Sequence, residues 1–194
     1  MKPRVAILIS GRGSNMEALI KAAQVPGFPA EIALVLSNKP DAPGLEIALG
    51  LGVEALAVDA KPYGKDREAH EQAINAELGK RDIQLVCLAG YMRLLTPWLV
   101  QRWKGRMLNI HPSLLPKFPG LDTHARALAA NEAEHGCTVH LVTEGMDEGP
   151  VLGQARVPVL PDDDEASLAA RVLEQEHLLY PRIVAEAAQK MSKN

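Results

Sequence analysis

Asn109 and His111 stand two residues apart at the end of a short apolar run, Arg106-Met107-Leu108. In an extended strand such positions share one face. The amide donates a hydrogen bond without changing charge, and the imidazole carries a proton near neutral pH. Side by side at a strand's end they suit acyl transfer, in which an oxyanion is stabilised and a proton moves. Asp147 is a candidate third member. It lies in Thr143-Glu144-Gly145-Met146-Asp147-Glu148-Gly149-Pro150, a segment whose two glycines mark a turn-rich loop. A carboxylate beside an imidazole favours the charged ring. Taken alone, Asp147 reads as a solvated turn residue. His124, His135 and His140 have no metal-ligand spacing and read as structural or solvent-facing, with His140, inside a strand, the one expected to line a pocket.

A second constellation is Ser10-Gly11-Arg12-Gly13-Ser14-Asn15, between a strand and a helix. A phosphate can meet backbone N–H groups and the positive helix end there. Gly13 permits close approach, and Ser14 and Asn15 add donors. The dinucleotide fingerprint needs a third glycine where Met16 stands, and no Gly-Lys-Ser/Thr follows, so a single phosphate fits better than NAD or ATP. The plainer reading is a strand-to-helix turn capped by Ser14. Near the C-terminus, Leu168, Val172, Leu179 and Ile183 form a helical stripe on which Glu176 also falls. A carboxylate there either reaches water at the stripe's edge or accepts hydrogen bonds from ligand hydroxyls.

The elements that must position these groups alternate. Strands are expected over Val5–Ile9, Ile32–Leu36, Glu54–Val58, Gln84–Ala89 and Arg106–Ile110. Helices are expected over Ser14–Ala23, Pro43–Leu49, Lys65–Leu78 and Pro97–Trp103. This predicts an α/β fold with a mostly parallel sheet and helices on both faces. Cys137–Val142 and Val151–Val159 read as two late antiparallel strands, and a closing helix begins near Asp164. No repeat or linker interrupts the 194 residues, so one domain over 1–194 is expected.

Composition narrows the classes. The chain is 47% hydrophobic and 23% charged, an ordinary globular balance, and its net charge of -3 exerts no global pull on nucleic acid or an anionic membrane. No apolar run approaches a membrane span, and the start lacks a signal-type hydrophobic region. The two cysteines, Cys87 and Cys137, make no metal motif, and Cys87 is expected to be a buried thiol. No metal and a cytoplasmic location are expected; a monomer and a homodimer both stay open.

Four segments together resemble the folate-dependent glycinamide ribonucleotide formyltransferases. They are Ile9 to Asn15, Leu88-Ala89-Gly90-Tyr91-Met92-Arg93-Leu94-Leu95, Leu108 through Gly120, and Gly136-Cys137-Thr138-Val139-His140 through Asp147-Glu148-Gly149-Pro150. The resemblance runs from Val5 to about Pro181. It implies a Rossmann-like nucleotide-binding sheet extended by the late strands and ending in a long helix. It implies formyl transfer from 10-formyltetrahydrofolate to the amine of 5'-phosphoribosylglycinamide. It further implies Asn109, His111 and Asp147 as the catalytic trio, Gly13, Ser14 and Asn15 at the phosphate, and Glu176 at the ribose. Arg67, Met92, Arg93, Leu94, Leu95 and Asn109 would line the folate site, with Glu144, Gly145 and Met146 in a loop over the pterin. Thr138, Glu148 and Leu173 depart from the family's usual pattern.

Three rival readings remain. Methionyl-tRNA formyltransferases share the catalytic segments but normally carry a further domain and a basic tRNA surface. Formyltetrahydrofolate deformylases usually carry an extra N-terminal domain. A non-catalytic phosphate-binding module needs the glycine turn but has no use for Asn109, His111 and Asp147 together.

Overall fold

A computed structural model describes residues 1–193. Its centre is a seven-stranded sheet in the order β3-β2-β1-β4-β5-β6-β7. The strands are β1 Arg4–Ile9, β2 Glu31–Ser37, β3 Ala55–Ala57, β4 Leu85–Leu88, β5 Met107–His111, β6 Glu134–Leu141 and β7 Val151–Pro158. Pairing is parallel from β3 through β5, then antiparallel for β5–β6 and β6–β7. The alternation read from the sequence is borne out, with boundaries shifted by a residue or two, and so is the antiparallel late pair.

The central strands are apolar because both of their faces are covered. Five residues of β1, Val5 to Ile9, are fully buried. On one face Val5, Ile7 and Ile9 pack with α1 (Ser14–Ala23), α2 (Pro43–Gly50) and the C-terminal helix. On the other, Ala6 and Leu8 pack with α3 (Arg67–Gly79) and α4 (Pro97–Arg102). A short helix that the sequence reading lacks, α5, spans Thr123–Ala129. The chain closes with α6, Glu165–Met191, whose start is fixed by a reciprocal cap between Asp164 and Ser167.

Two features place the site. The strand order reverses at β1, which lies between β2 and β4, so a crevice opens at the carboxyl ends of β1 and β4. The α6 hydroxyl of Tyr180 sits 2.9 Å from the Leu88 carbonyl and 3.2 Å from that of Leu108, fully buried between β4 and β5. It ties together the two strands whose loops carry the candidate site.

Candidate active site

β5 puts Asn109 and His111 on one face, as strand alternation requires. The antiparallel register sets them against His140 and Thr138 of β6. Thr138 is fully buried and holds the loop after β5. Its hydroxyl donates to the Ser113 carbonyl (2.7 Å) and accepts from the Leu115 N–H (3.1 Å). A hydroxyl is what the position needs, so this departure leaves the geometry intact.

Asp147 joins the cluster from the loop between β6 and β7. Its carboxylate oxygens lie 3.4 Å from His111 Nδ1 and 3.6 Å from His140 Nε2. The Gly120 N–H donates to it at 2.9 Å. Two local features aim it inward. Asp147 itself adopts a left-handed backbone, φ 54°, which aspartate tolerates better than most residues. Gly149 lets the loop turn back onto β6, because a Cβ there would meet the Leu141 carbonyl oxygen at 1.7 Å. Burial pushes the Asp147 carboxyl up, but hydrogen bonds from His140 and Gly120 and the nearby imidazoles outweigh it and hold it below the usual range.

The two imidazoles face different partners. His111 Nε2 lies 2.9 Å from the Phe118 carbonyl, and its Nδ1 faces Asp147. Both are acceptors, so only the doubly protonated ring can donate to both. His140 Nδ1 lies 2.9 Å from the Leu141 carbonyl, which assigns that nitrogen the proton in a neutral ring. Its Nε2 lies 3.3 Å from Asn109 Nδ2 and 3.6 Å from Asp147: a neutral ring accepts from the amide and orients it, leaving the second amide N–H free, whereas a doubly protonated ring donates to the carboxylate. Sequence reasoning named His140 as a pocket residue but not this orienting contact. The β5–β6 register, which decides it, is not a local signal.

Two clefts meet at Asn109. One, of about 320 Å³, has apolar walls from Leu88, Leu94, Leu95, Val100 and Val142, and is bounded by Arg67, Arg93 and the Thr143–Asp147 loop. The other, of about 410 Å³, runs past His111, Thr123 and His124 to Asn15, Glu165 and Glu176. Leu94, Leu95, Arg67, Arg93, Glu144, Gly145 and Met146 all line the first cleft. Met92 does not: it lines the second, with Tyr91. The chain turns at Gly90, φ 71°, and sends residues 91–92 and 93–95 to opposite sides of the wall.

The glycine turn stands at the far end of the second cleft. Gly13 is the N-cap of α1 in the left-handed conformation (φ 68°), and Ser14 is already helical, with no side-chain cap. The reading of Ser14 as a cap therefore fails, because Gly13 occupies that position. Of the three residues, Asn15 lines the cleft, while Gly13 and Ser14 form the start of the helix behind it. The Asn15 Oδ1 is buried with no partner in the protein. Ser10, which the sequence places in the glycine turn without a role of its own, links the two sides. Its hydroxyl donates to Asn38 Oδ1 (2.6 Å) and accepts from the Met92 N–H (2.8 Å). Glu71 acts similarly behind the first cleft, accepting from the Thr96 N–H and hydroxyl while 2% exposed.

Glu176 is 7% exposed and lines the second cleft, so it is not a surface carboxylate at the edge of the stripe. Burial pushes its carboxyl up to about 7, and the Asn15 amide beside it works the other way. The raised value gives the folded state more affinity for the proton than the unfolded chain has. Its favourable contribution is therefore complete below about 4.5 and is lost as pH rises through about 7. Glu176→Gln should remove this dependence, leaving the variant more stable than wild type at pH 8 by up to about 3 kcal/mol, with little difference near pH 4.5. Urea unfolding at both pH values checks this, and parallel curves for the two proteins would refute it.

His135 is fully enclosed, and burial lowers it to about 4. It meets His124 at 3.1 Å, supporting α5 beneath the cleft, in line with a structural role. Cys87 is a buried thiol, as expected, pushed up to about 12 by burial.

With this geometry in hand, comparison with known proteins is informative. The family model described as formyl transferase matches residues 3–184. The phosphoribosylglycinamide formyltransferase of Escherichia coli (strain K12) is 44% identical over 193 residues, covering 98% of this chain and 91% of that protein. The trifunctional purine biosynthetic protein adenosine-3 of Drosophila melanogaster is 47% identical over 95% of this chain, which spans only 14% of that longer protein. The crystal structure of phosphoribosylglycinamide formyltransferase from Brucella melitensis superposes with a TM-score of 0.93 at 55% identity, covering 97% of this chain and 96% of that one. In fold, in sequence over nearly its whole length and in the segments that build both clefts, this chain belongs to the formyl transferase family.

Proposed function

We propose that this protein transfers the formyl group of 10-formyltetrahydrofolate to the amine of 5'-phosphoribosylglycinamide, a step of purine biosynthesis. The observation that carries the reading is that two clefts of different chemistry share Asn109. The apolar cleft with arginines at its rim suits a pterin ring followed by carboxylates. The polar cleft, from His111 to Asn15 and Glu176, suits an amine at one end, a ribose beside Glu176 and a phosphate at the N-terminal turn of α1. Formyl donor and amine then meet where the clefts join.

The attacking nitrogen forms a bond to the formyl carbon, the C=O electron pair moves onto oxygen, and the bond from that carbon to the folate nitrogen breaks. Asn109 donates its free N–H to the developing oxyanion. Protonated His111 donates the second hydrogen bond, its Nε2–H exchanging the Phe118 carbonyl for the oxyanion. Asp147 keeps that ring charged and aimed. A net proton passes from the attacking amine to the departing nitrogen, and the Asp147–imidazole cluster is the group positioned to carry it. Glu176 accepts hydrogen bonds from the ribose hydroxyls.

The test is an absorbance assay of folate release from 10-formyltetrahydrofolate, run with the glycinamide ribonucleotide, with initiator methionyl-tRNA, and with buffer alone. Turnover only with the ribonucleotide is expected. Turnover with tRNA or with buffer alone would replace the reading by tRNA formylation or deformylation. No turnover in any arm would reduce the chain to a binding module.

A further inference from the structure

The wall between the two clefts, residues 90–96, is gripped by α3 and the turn before it. Arg93 Nη2 donates to the Gly64 carbonyl and Arg67 Nη1 to the Leu94 carbonyl, both at 3.2 Å, and Glu71 accepts from the Thr96 N–H at 2.7 Å. The three contacts advance together along both segments. Arg67 and Glu71 lie one helical turn apart, so they share a face of α3. At the near end of the wall, Ser10 takes the Met92 N–H. Two other polar groups of the wall, Tyr91 Oη and Arg93 Nε, are buried with no partner in the protein and add no hold.

The Glu71 contact breaks two local habits. A carboxylate is costly to bury unless its oxygens are satisfied, and this one is almost wholly enclosed. Both of its oxygens go to one residue, Oε1 to the Thr96 N–H and Oε2 to the Thr96 hydroxyl. Thr96 is also the N-cap of α4, with Pro97 behind it. A threonine there ordinarily turns its hydroxyl oxygen toward the first N–H groups of its own helix. Thr96 makes no such bond; its hydroxyl donates to Glu71 instead. The start of α4 gives up its cap, and the end of the wall is tied to α3. Broken local rules of this kind concentrate where function decides the structure. The tied residues Arg93, Leu94 and Leu95 line the first cleft, and Leu94 is largely exposed, so packing of that side chain does not hold the wall in place.

We propose that Glu71 is a positioning residue for the formyl donor. It lines neither cleft and touches none of the reacting groups. By gripping Thr96 it holds the main chain of residues 93–95 at the height that a flat ring in the first cleft needs. A wall already in place spares the donor the cost of ordering it, which appears as affinity. The proposal rests on the formyl-transfer reading above and adds a residue to its donor site. Asn109, His111 and Asp147 stand on β5 and the loop between β6 and β7, outside the grip. Glu71 therefore acts on donor affinity and leaves the chemical step alone. The second cleft takes Tyr91 and Met92 from the end of the wall that Ser10 holds, so the ribonucleotide is not affected either.

The experiment combines steady-state kinetics in both substrates with direct binding of tetrahydrofolate, for wild type, Glu71→Ala, Glu71→Gln and Thr96→Ala. In Glu71→Ala the donor KM and the tetrahydrofolate Kd should both rise about 10-fold, the order of one hydrogen bond to a charged group. The ribonucleotide KM and kcat should stay within about twofold of wild type. Glutamine can still accept the Thr96 N–H and can donate to the hydroxyl, so Glu71→Gln should return both donor values to within about threefold. Thr96→Ala keeps the N–H contact and loses the hydroxyl one, and its donor KM should rise by about threefold. A donor KM and folate Kd unchanged in Glu71→Ala would overturn the proposal. So would an equal rise in both substrates' KM, which marks general loosening, or a glutamine variant as weak as the alanine one, which marks charge and not grip. Should Glu71→Ala fail to fold, an unchanged donor KM in Thr96→Ala overturns it instead. A wild-type protein that neither turns over nor binds tetrahydrofolate removes the formyl-transfer reading, and the proposal with it.

Discussion

Replacing Asn109 by alanine should lower kcat by about 10²–10³, the usual cost of losing one donor to an oxyanion. The effect should fall on kcat far more than on KM for the ribonucleotide, because the free N–H meets an oxygen that is fully charged only during the reaction. The fold should tolerate the change. Asn109 is half-buried at the rim of the sheet, and its side-chain partner is His140 Nε2. Losing that bond should cost about 1 kcal/mol of stability. Single-turnover kinetics, which isolate the chemical step, provide the check alongside a melting temperature. A variant with near-normal single-turnover rate would remove Asn109 from the mechanism.

Asp147→Asn should be at least as damaging. The substitution is nearly isosteric, and the Gly120 N–H can still donate to the side-chain oxygen, so the loop keeps its anchor. What disappears is the negative charge between two imidazoles, 3.4 and 3.6 Å away. His111 then loses the carboxylate that faces its Nδ1, and a loss of about 10²–10⁴ in kcat is expected at neutral pH. Binding of the phosphate-bearing substrate should change little, since Asn15 and Glu176 lie at the other end of that cleft. Acid stability should differ as well. A carboxyl held below its ordinary value stabilises the fold above the unfolded value, near 3.8, and loses that contribution as pH falls through the folded value. The variant lacks that acid-sensitive contribution, so the two proteins should converge in stability once the pH has fallen through the folded value. A kcat within threefold of wild type would rule out the assigned role.

Much of this arrangement was legible in the chain, and the rest was hidden for identifiable reasons. Parallel strands covered on both faces must be apolar runs, so Val5–Ile9 and Ile32–Leu36 declare themselves. Alternation alone puts Asn109 beside His111. The helix Thr123–Ala129 did not declare itself. It has seven residues, follows a left-handed Asp122 and buries only Thr123 and Ala127, too few for a stripe. The approach of Asp147 to the imidazoles depends on the β5–β6 register and on the close pass of Gly149 against β6. Both are long-range facts that no local pattern encodes. Arg67 and Arg93 came from resemblance alone, because an arginine at a helix start or in a loop looks the same whether it faces water or a ligand. Met92 lines a different cleft from Arg93, Leu94 and Leu95, a separation the sequence does not signal, since nothing before Gly90 tells which way the chain will turn.

The buried hydroxyl of Tyr180 gives the molecule a property that no single cleft residue has. One helix supplies both Glu176 and the pin between the Leu88 and Leu108 carbonyls. Any opening that lifts α6 away therefore releases the ends of β4 and β5 and withdraws the buried carboxylate in the same event. Amide protons in the strand ends and in the middle of α6 belong to one cooperative unit and should exchange with solvent together. A form with its C-terminal helix loose and its clefts still assembled is therefore not expected to be populated.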